Sequence, residues 1–255
     1  MTNRPSPDDI AATSVSVMSV ISELNAYLSD YGPTTLARNL VRRGTQHAKY
    51  QVGKARGRRP SFAYQGDTLE YFWHPYNRTW LSERALEIPI AQRFLARYPS
   101  DSLGLEIGNV LAHYQPITHR VVDKYETSPG VENIDVVDVT APEPLDFVLA
   151  ISTLEHVGWD EPIRDLTKAP AALDHLRSLL DPHHGRLLLT APLGHNPGLD
   201  AYLLQSDHGA LTSDIFVRDH RDRWTHVDRV EPHQVRYLYE LRSAGCLWAG
   251  EFAAK

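Results

Sequence analysis

The stretch Leu103-Gly104-Leu105-Glu106-Ile107-Gly108-Asn109-Val110-Leu111-Ala112-His113-Tyr114 decides the fold that we predict. A short apolar run contains one acid, Glu106, and ends at Gly108. This order predicts a strand, a tight turn and the start of a helix. Glycine at position 108 lets the backbone pass close to a ligand. The amide groups at the start of a helix favour polar or anionic groups, whereas the carboxylate of Glu106 suits an ammonium or a hydroxyl group.

Strands that end in acids follow this stretch along the chain. Residues 120–125 form a second short strand that ends at Asp123, and such an acid can accept hydrogen bonds from both hydroxyl groups of a ribose. Ile134 and Asp135 come next, the apolar run 145–157 predicts a fourth strand, and residues 179–190 predict a helix end, a turn and a fifth strand. Alternating strands and helices predict a parallel sheet with helices on both faces and a ligand at the carboxyl ends of its strands.

Residues 102–197 resemble the class I S-adenosylmethionine-dependent methyltransferases. The matching features are the acid-x-Gly loop, the acids after the second and third strands, the Asp-Phe-Val-Leu fourth strand and the Leu-x-Pro-x-x-Gly-Arg-Leu turn. One departure is that Val110 and Ala112 stand where the family's loop carries further glycines. The resemblance implies a Rossmann-like α/β fold, doubly wound and mostly parallel, with an antiparallel last strand. An N-terminal helical and aromatic extension precedes it.

Three segments follow from this interpretation. We expect an N-terminal helix and basic linker at 1–60, an aromatic segment that caps the substrate at 61–100, and the cofactor-binding domain at 101–255. The basic residues of the linker occur without an intervening acid, and they are Arg38, Arg42, Arg43, Lys49, Lys54, Arg56, Arg58 and Arg59. Such a run is typical of a solvated linker with some helix, and a surface for an anionic lipid or a phosphorylated substrate is the alternative.

The resemblance implies S-adenosylmethionine as the cofactor and gives roles to matching positions. Glu106 would position its ammonium, Asp123 would hold the ribose, and Ile134 and Asp135 would border the adenine, with Asp135 accepting from the exocyclic amine. The full predicted cofactor set is Glu106, Gly108, Asn109, Asp123, Lys124, Ile134, Asp135 and Ser152. For each acid, the alternative is an ordinary helix cap or a surface carboxylate.

The catalytic candidates follow the fourth strand. His156 would lie at the ligand edge, where a neutral imidazole could take a proton from an acceptor hydroxyl group, and Glu155 could do so instead. A structural histidine, or an acceptor that needs no base, is the alternative. We predict no metal site, because the thirteen histidines form no H-x-x-x-H pattern on a convincing helix and no cluster of acids stands out.

Aromatic residues crowd the segment before the first strand of the domain. Stacking and hydrogen bonding by such side chains suit a sugar or an aromatic acceptor, and the predicted substrate residues are Tyr76, Asn77, Trp80 and His195. The alternative is that the aromatic rings cover one end of the sheet. In the late part of the chain we predict strands at 215–218, 223–227 and 247–252, and a helix at 231–243.

Composition narrows the function classes. The chain has 255 residues, a formal net charge of −6 and a single cysteine, Cys246. This acidic balance disfavours nucleic acid as a partner, and one cysteine permits no internal disulfide. The polar N-terminus and the lack of long apolar runs predict a cytoplasmic protein with no transmembrane segment. The apolar positions of residues 15–28 recur at helical spacing, and they fit packing against the main domain, a lid or a homodimer contact.

The predicted function is transfer of a methyl group from S-adenosylmethionine to a small-molecule acceptor, expected to be a hydroxyl group of a saccharide or natural-product metabolite. One alternative is a non-catalytic scaffold that keeps the fold, which the side chains of Val110 and Ala112 in the loop would favour. Another is a nicotinamide-dependent oxidoreductase, and the missing Gly-x-Gly-x-x-Gly disfavours it.

Overall fold

The computed structural model describes the backbone of residues 7–219, 221–238 and 243–255, and the side chains of these ranges from residue 25 onward. The chain divides into two compact units, residues 1–49 and 50–255. The first unit contains most of helix α1 (Pro7–Ala55), which is interrupted at Gly32, where φ is 76° and ψ is 164°. A helix over 15–28 is therefore confirmed, although the side chains of Val15, Met18, Ile21 and Leu24 lie outside the described residues.

The second unit is built on an eight-stranded sheet with the order β5-β4-β3-β6-β7-β12-β8-β9. Its strands are β3 (Gly104–Ile107), β4 (Arg120–Val122), β5 (Val131–Glu132), β6 (Phe147–Ile151), β7 (Arg186–Pro192), β8 (Thr212–Arg218), β9 (Trp224–Val227) and β12 (Cys246–Ala253). The five strands from β5 to β7 in this order are parallel. Strand β12 runs antiparallel between β7 and β8, and β9 pairs antiparallel with β8. The mostly parallel sheet with its antiparallel finish is confirmed.

After β3, the next two strands, β4 and β5, are added on one side of β3. Strand β6 is then added on the other side. This reversal creates a crevice at the carboxyl ends of β3 and β6, which is where open α/β sheets bind their ligands. All five residues of β6 are buried, as expected for a central parallel strand that is covered on both faces. The sheet order therefore predicts the position of the functional site.

Both faces of the sheet carry an apolar core. Helices α3 (Lys168–Ser178) and α4 (Pro197–Leu203) pack on one face, against the side chains of Leu105, Val148 and Leu187. Helix α2 (Arg84–Leu95) and the hairpin of β1 (Ser61–Tyr64) and β2 (Asp67–Glu70) cover the other face, which includes Leu149 and Leu188. The aromatic segment thus joins the core of the second unit.

The predicted helix after Gly108 is wrong. The structure has a single 3₁₀ turn, Leu111–His113, before the chain enters β4 at Arg120. Residues 109–119 are too few for a helix and two connecting loops, because a full crossover between parallel strands needs about a dozen residues or more. Pro116 also disfavours continuation of a helix.

The predicted helix over 231–243 is also wrong. Residues 232–234 form a turn, and β10 (Tyr237–Leu238) pairs antiparallel with β11 (Ser243–Ala244), while residues 239–242 lie outside the described range. The polar Arg236 separates the side chains of Val235 and Tyr237, which fits the period of a strand. In the basic segment, α1 continues to Ala55, so the linker is helical over most of its length.

Among the described residues, the helices are all too short or too polar to cross a bilayer.

Candidate functional site

A cavity of about 410 Å³ opens at the carboxyl ends of β3, β4 and β5. One part of its wall is apolar and includes Ile107, Val122 and Ile134, while Asp123 and Asp135 supply charge. The remaining lining residues are Gly108, Lys124, Tyr125, Glu126, Val136, Thr153, His156, Val157 and Glu161. A largely apolar crevice with a few placed polar groups is typical of a cofactor or small-molecule site.

Gly108 forms the turn between β3 and this cavity. Its φ of 84° lies in the left-handed region that favours glycine. A Cβ atom at this position would come within 2.2 Å of the hydroxyl oxygen of Thr153, which follows β6. Two loops therefore approach each other closely because residue 108 has no side chain.

Asp123 stands at the end of β4 and lines the cavity. Its Oδ1 accepts hydrogen bonds of 2.8 Å from the backbone amides of Tyr125 and Glu126. Its Oδ2 accepts a longer bond of 3.3 Å from the amide of Asn109. The carboxylate is thus fixed through Oδ1, and Oδ2 keeps lone-pair capacity for a ligand hydroxyl group.

Glu106 lines neither this cavity nor the adjoining one that is described below. Its carboxylate is fully buried, and Oε1 accepts hydrogen bonds from the amides of Val110 and Leu111 at 2.9 and 2.8 Å. Its Oε2 lies 2.8 Å from Nε2 of His119. A buried carboxylate must be paired in this way, since an unpaired charge would cost several kcal/mol. The carboxylate of Glu106 therefore holds the loop after β3, and its contact with the cofactor's ammonium stays a prediction.

Asp135 belongs to a charge cluster at the far border of the cavity. Its Oδ2 accepts hydrogen bonds from Nζ of Lys124 and Lys168 at 2.8 and 2.7 Å, and both lysines also contact Glu161. Burial would raise the pKa of Asp135, but the two ammonium groups outweigh it and hold the pKa at about 2. The Oδ1 atom takes a single bond of 3.3 Å from the amide of Val137, so it is the oxygen that can accept from a ligand.

A second cavity of about 230 Å³ adjoins the first. The two share five lining residues, which are Gly108, Asp123, Glu126, Thr153 and His156. The second cavity also contains Asn109 and Ser152, which were predicted as cofactor residues, together with Arg84, Val110 and Tyr114. The structure thus places part of the predicted cofactor set in the neighbouring space.

Aromatic rings form one wall of the second cavity. The ring of Tyr76 stacks on His113 with centroids 4.6 Å apart, and it meets Tyr114 edge-on at 5.6 Å. Asn77 and Ser152 both line the cavity, with φ values of 51° and 43°. Non-glycine residues in this region carry strain of about 1–3 kcal/mol that the surroundings must offset, and they concentrate at functional sites.

The four predicted substrate residues do not all line one cavity. Tyr76 and Asn77 line the second cavity, whereas Trp80 lies outside both cavities and stacks on Tyr50 with centroids 4.0 Å apart. His195 also lies outside both linings, with its ring 4.9 Å from that of His156. Of the four, only Tyr76 and Asn77 therefore line the second cavity.

His156 lies at the wall that the two cavities share. Its Nδ1 is 2.5 Å from Oδ2 of Asp160, and its Nε2 is 3.6 Å from Oε1 of Glu155. Burial opposes the charged form of the imidazole, but Glu155 and Asp160 outweigh this and raise the pKa of His156. Glu155 is 2% exposed and lies beneath the wall, where burial raises its pKa to about 8.

Asp160 also contacts His195, so one carboxylate joins two histidines. The Nε2 atom of His195 is 3.1 Å from Oδ1 of Asp160, and burial together with His156 lowers the pKa of His195. One potential ligand atom from each of these three residues lies within 4.8 Å of the other two. The prediction of no metal site missed this cluster because His195 is distant in sequence, although the spacing of His156 and Asp160 is a signal.

Sequence reasoning also missed Thr153, Glu126 and Arg84 as lining residues. Glu126 accepts a hydrogen bond of 2.5 Å from Nδ2 of Asn109, and its Oε1 lies 3.2 Å from Nε2 of His113. Arg84, at the start of α2, donates to Glu87 and to the carbonyl oxygen of Ile151. None of these three residues belongs to a recognisable sequence motif. Thr153 and Glu126 reach the cavity from loops, and Arg84 reaches it from helix α2 on one face of the sheet.

No protein-family model matches the sequence, and no curated protein matches it. Solved structures of similar fold include the N-methyltransferase NodS from Bradyrhizobium japonicum in complex with S-adenosylhomocysteine. It is 13% identical, with 67% of this chain and 86% of that chain covered and a TM-score of 0.40.

Another is the Burkholderia thailandensis 1,6-didemethyltoxoflavin N1-methyltransferase, at 17% identity, with 70% and 82% of the two chains covered and a TM-score of 0.38. A sugar N-methyltransferase from Streptoalloteichus is 14% identical, with 63% and 65% covered and a TM-score of 0.32.

Proposed function

We propose that this chain transfers a methyl group from S-adenosylmethionine to a hydroxyl group of a small polar acceptor, such as a saccharide or a sugar-bearing natural product. One observation carries the proposal. At the switch point of a sheet with this strand order, an apolar cavity with a strand-end acid meets a polar cavity with an aromatic wall. The arrangement provides adjoining places for a nucleoside cofactor and for an acceptor.

The residues of the first cavity fit this cofactor. Asp123 presents Oδ2 at the end of β4, where it would accept hydrogen bonds from ribose hydroxyl groups. The side chains of Val122, Ile134 and Val136 provide an apolar surface for a planar base. Asp135, the acid predicted to accept from the adenine amine, keeps Oδ1 for that bond while its Oδ2 is paired with lysines.

The side chains that replace the family's loop glycines do not argue for a scaffold that has lost the cofactor. Val110 lines the second cavity, and Ala112 is exposed. The first cavity retains its volume of about 410 Å³ and is lined by other residues. The loop after β3 is held by the two amide bonds to Glu106, which do not depend on further glycines.

The chain's contribution to the reaction would be alignment. When bound, S-adenosylmethionine supplies a methyl group on a sulfonium, whose sulfur keeps the electron pair of the broken bond while an acceptor lone pair forms the new bond. Residues shared by the two cavities, among them Gly108 and Thr153, border the place where acceptor and methyl group would meet. Holding reacting atoms in such a geometry is worth effective concentrations of about 10⁵ M or more.

The second cavity supports a polyhydroxyl acceptor. Glu126 and Asp123 offer hydrogen-bond acceptors, Arg84 offers donors, and the ring of Tyr76 offers a flat face. A sugar ring combines hydroxyl groups with apolar C–H faces, so it can use both kinds of surface. The cavity of about 230 Å³ holds a small acceptor, or the reacting part of a larger one.

His156 is the group that we propose to take the acceptor's proton. Asp160 pairs with its Nδ1, so Nε2, which lies 3.6 Å from Oε1 of Glu155, is the nitrogen that would receive a proton from a hydroxyl group in the cavity. Such general-base catalysis is worth about 10² to 10⁴ in rate. Glu155, the other predicted candidate, would act through His156, since its carboxylate lies beneath the wall of the cavity.

Calorimetric titration with S-adenosylmethionine and S-adenosylhomocysteine tests the cofactor site, with NAD as the ligand that should not bind. In Asp123→Asn, the new amide oxygen can keep the two amide bonds that Oδ1 accepts, while the amide nitrogen replaces Oδ2 and cannot accept from ribose. Because a hydrogen bond to a charged group is worth about 1.5–3 kcal/mol, we expect binding to weaken about 10- to 100-fold.

The matched control is Asp101→Ala, which removes an exposed aspartate ahead of β3, and its affinity should equal that of the unaltered protein. Binding of NAD in preference to either sulfur ligand would contradict the proposal, as would equal affinities for Asp123→Asn and the control. With binding established, incubation with saccharide acceptors and mass spectrometry of the products would identify the methylated atom.

A further inference from the structure

We propose that His156, Asp160 and His195 form a binding site for a divalent transition-metal ion, of which Zn²⁺ is the type, beside the two cavities. Two imidazoles and one carboxylate converge there, each offering one ligand atom within 4.8 Å of the others. Three protein ligands of this kind with a remaining open position are the donor set of catalytic zinc sites. The site stands whether or not the chain transfers methyl groups, because it rests on these residues alone.

The three ligand atoms would need to move only slightly to bind an ion. Zinc bonds of about 2.0–2.1 Å in a tetrahedral arrangement place neighbouring ligand atoms about 3.3 Å apart. The Nε2 atom of His195 already lies 3.1 and 3.2 Å from the two oxygens of Asp160. The contact between Nδ1 of His156 and Oδ2 of Asp160 is 2.5 Å and must widen. Rotation of the half-exposed Asp160 side chain can provide this change.

The loops that carry the ligands are tied together. His195 and the fully buried Asn196 follow β7, and Nδ2 of Asn196 donates a hydrogen bond of 3.1 Å to the carbonyl oxygen of Val157, next to His156. The Oδ1 atom of Asn196 accepts from the amides of Gly198 and Leu199 at the start of α4. The loops that carry the two imidazoles are therefore held together by bonds of the Asn196 side chain that do not involve the ion.

A second carboxylate supports the same interpretation. Metal-bound histidines donate their other ring N–H to a carboxylate or carbonyl group, which fixes the ring and strengthens the ligand. The Nε2 atom of His156 faces Oε1 of the buried Glu155 at 3.6 Å, so a small shift would form that bond. The ring of His195 is held edge-on by Tyr237, with centroids 4.9 Å apart.

Of the three ligands, His156 lines both cavities, so the ion would lie next to them on the side of Asp160 and His195. A hydroxyl group bound at the open position would lose its proton more readily, as water does on zinc. That proton would pass to solvent, and the oxygen would keep its lone pair for the acceptor's reaction. When the ion is bound, His156 would be one of its ligands and would not act as the base. The ion would then activate the hydroxyl group.

Metal binding to the full chain tests the site. After treatment with a chelator and its removal, calorimetry with Zn²⁺ should show one ion per chain, and bound Co²⁺ should give visible absorption from an imidazole and carboxylate site. Loss of a ligating side chain should weaken binding about 100-fold or more, since even outer-shell partners are worth 10- to 100-fold. We expect this loss of affinity in His195→Ala and in Asp160→Asn. Because the Asp160 side chain is half-exposed, Asp160→Asn should fold as the unaltered chain does.

The matched control is His183→Ala, which also removes one imidazole but from an exposed turn, and it should bind Zn²⁺ as the unaltered chain does. Absence of stoichiometric binding would overturn the proposal, as would equal affinities in Asp160→Asn and the control. Binding of S-adenosylhomocysteine is measured in the same proteins without metal. If the chain binds Zn²⁺ but not S-adenosylhomocysteine, only the cofactor site is refuted. If it binds S-adenosylhomocysteine but not Zn²⁺, only the ion site is refuted.

Discussion

Gly108 carries two constraints at the cavity, which are its positive φ and its lack of a side chain. In Gly108→Ala, the new Cβ atom would lie 2.2 Å from the hydroxyl oxygen of Thr153. Left-handed backbone costs a non-glycine residue about 1–2 kcal/mol, and overpacking adds about 1–3 kcal/mol. We therefore expect a loss of about 2–5 kcal/mol in the free energy of unfolding, measured by urea denaturation, and weaker binding of S-adenosylhomocysteine.

Gly130 is the matched control because it has the same φ of 84° but nothing within 4 Å of an added Cβ atom. Gly130→Ala should show the backbone cost alone and should leave binding unchanged. Equal destabilisation of the two variants would mean that the contact with Thr153 does not restrict residue 108.

Among single residues, the strand-end positions could be predicted from the sequence, but the partners of each side chain could not. Gly108 and Asp123 lie at the cavity as predicted, because each follows directly from the end of a strand. For Glu106 the sequence did not reveal the partners of the carboxylate, which are the amides of Val110 and Leu111 in the loop after β3. Trp80 differs because Tyr50, far away in sequence, provides a flat face for it.

At the scale of elements, helix α4 contains a partly buried acid, Asp200, that makes stability depend on pH. Asp200 accepts a hydrogen bond of 2.8 Å from the amide of Gly194, and burial raises its pKa from 3.8 to about 6. Its ionisable neighbour is the thiol of Cys246, which stays neutral because its pKa is raised to about 12. A folded-state pKa above the unfolded value means that the folded chain holds this proton more tightly.

The contribution of Asp200 to stability is therefore present below about pH 4 and is lost as the pH rises through about 6. The total is at most about 3 kcal/mol, from 1.36 kcal/mol for each pKa unit. In Asp200→Asn this loss is absent, because the amide does not ionise and its oxygen can still accept from Gly194. Urea unfolding at pH 5 and pH 8 should show the variant gaining about 1 kcal/mol relative to the unaltered protein.

Other carboxylates titrate in both proteins, so comparing the two proteins isolates Asp200. A stability difference that is the same at pH 5 and pH 8 would contradict a raised pKa for this residue.

The elements also show which parts of the fold have local origins. Strands β3, β6 and β12 were predicted from short apolar runs, because their burial requires such residues whatever surrounds them. The missing helix after Gly108 and the β10–β11 hairpin were not predicted. In both places the choice depends on the distance that the chain must span and on a pairing partner, which a local pattern does not contain.

At the scale of the whole molecule, both apolar cores lie within residues 50–255. A chain that begins at Tyr50 should therefore unfold in one cooperative transition and bind S-adenosylhomocysteine with the affinity of the full chain. Calorimetry and a thermal melt of the shortened protein would measure both. Failure to bind would show that the first 49 residues contribute to the cofactor site.

A chain that begins at Gly57 provides the comparison, because it also lacks the Tyr50 ring that stacks on Trp80. Aromatic pairs contribute about 0.5–1.5 kcal/mol beyond the burial of their area. This shorter chain should therefore melt at a lower temperature than the chain that begins at Tyr50. Equal melting temperatures would mean that the stacked pair does not stabilise the second unit.

The sequence by itself determined the strand positions, the acids at their ends and the glycine turn, because these features depend on a few consecutive residues and on the period of a strand. Only the tertiary structure decided which loops contact each other. The second cavity joins Tyr76, His113 and Ser152, and the three-residue cluster joins His156 to His195. Those meetings depend on the sheet order and on long-range bonds such as that from Asn196 to Val157, which no local pattern of residues encodes.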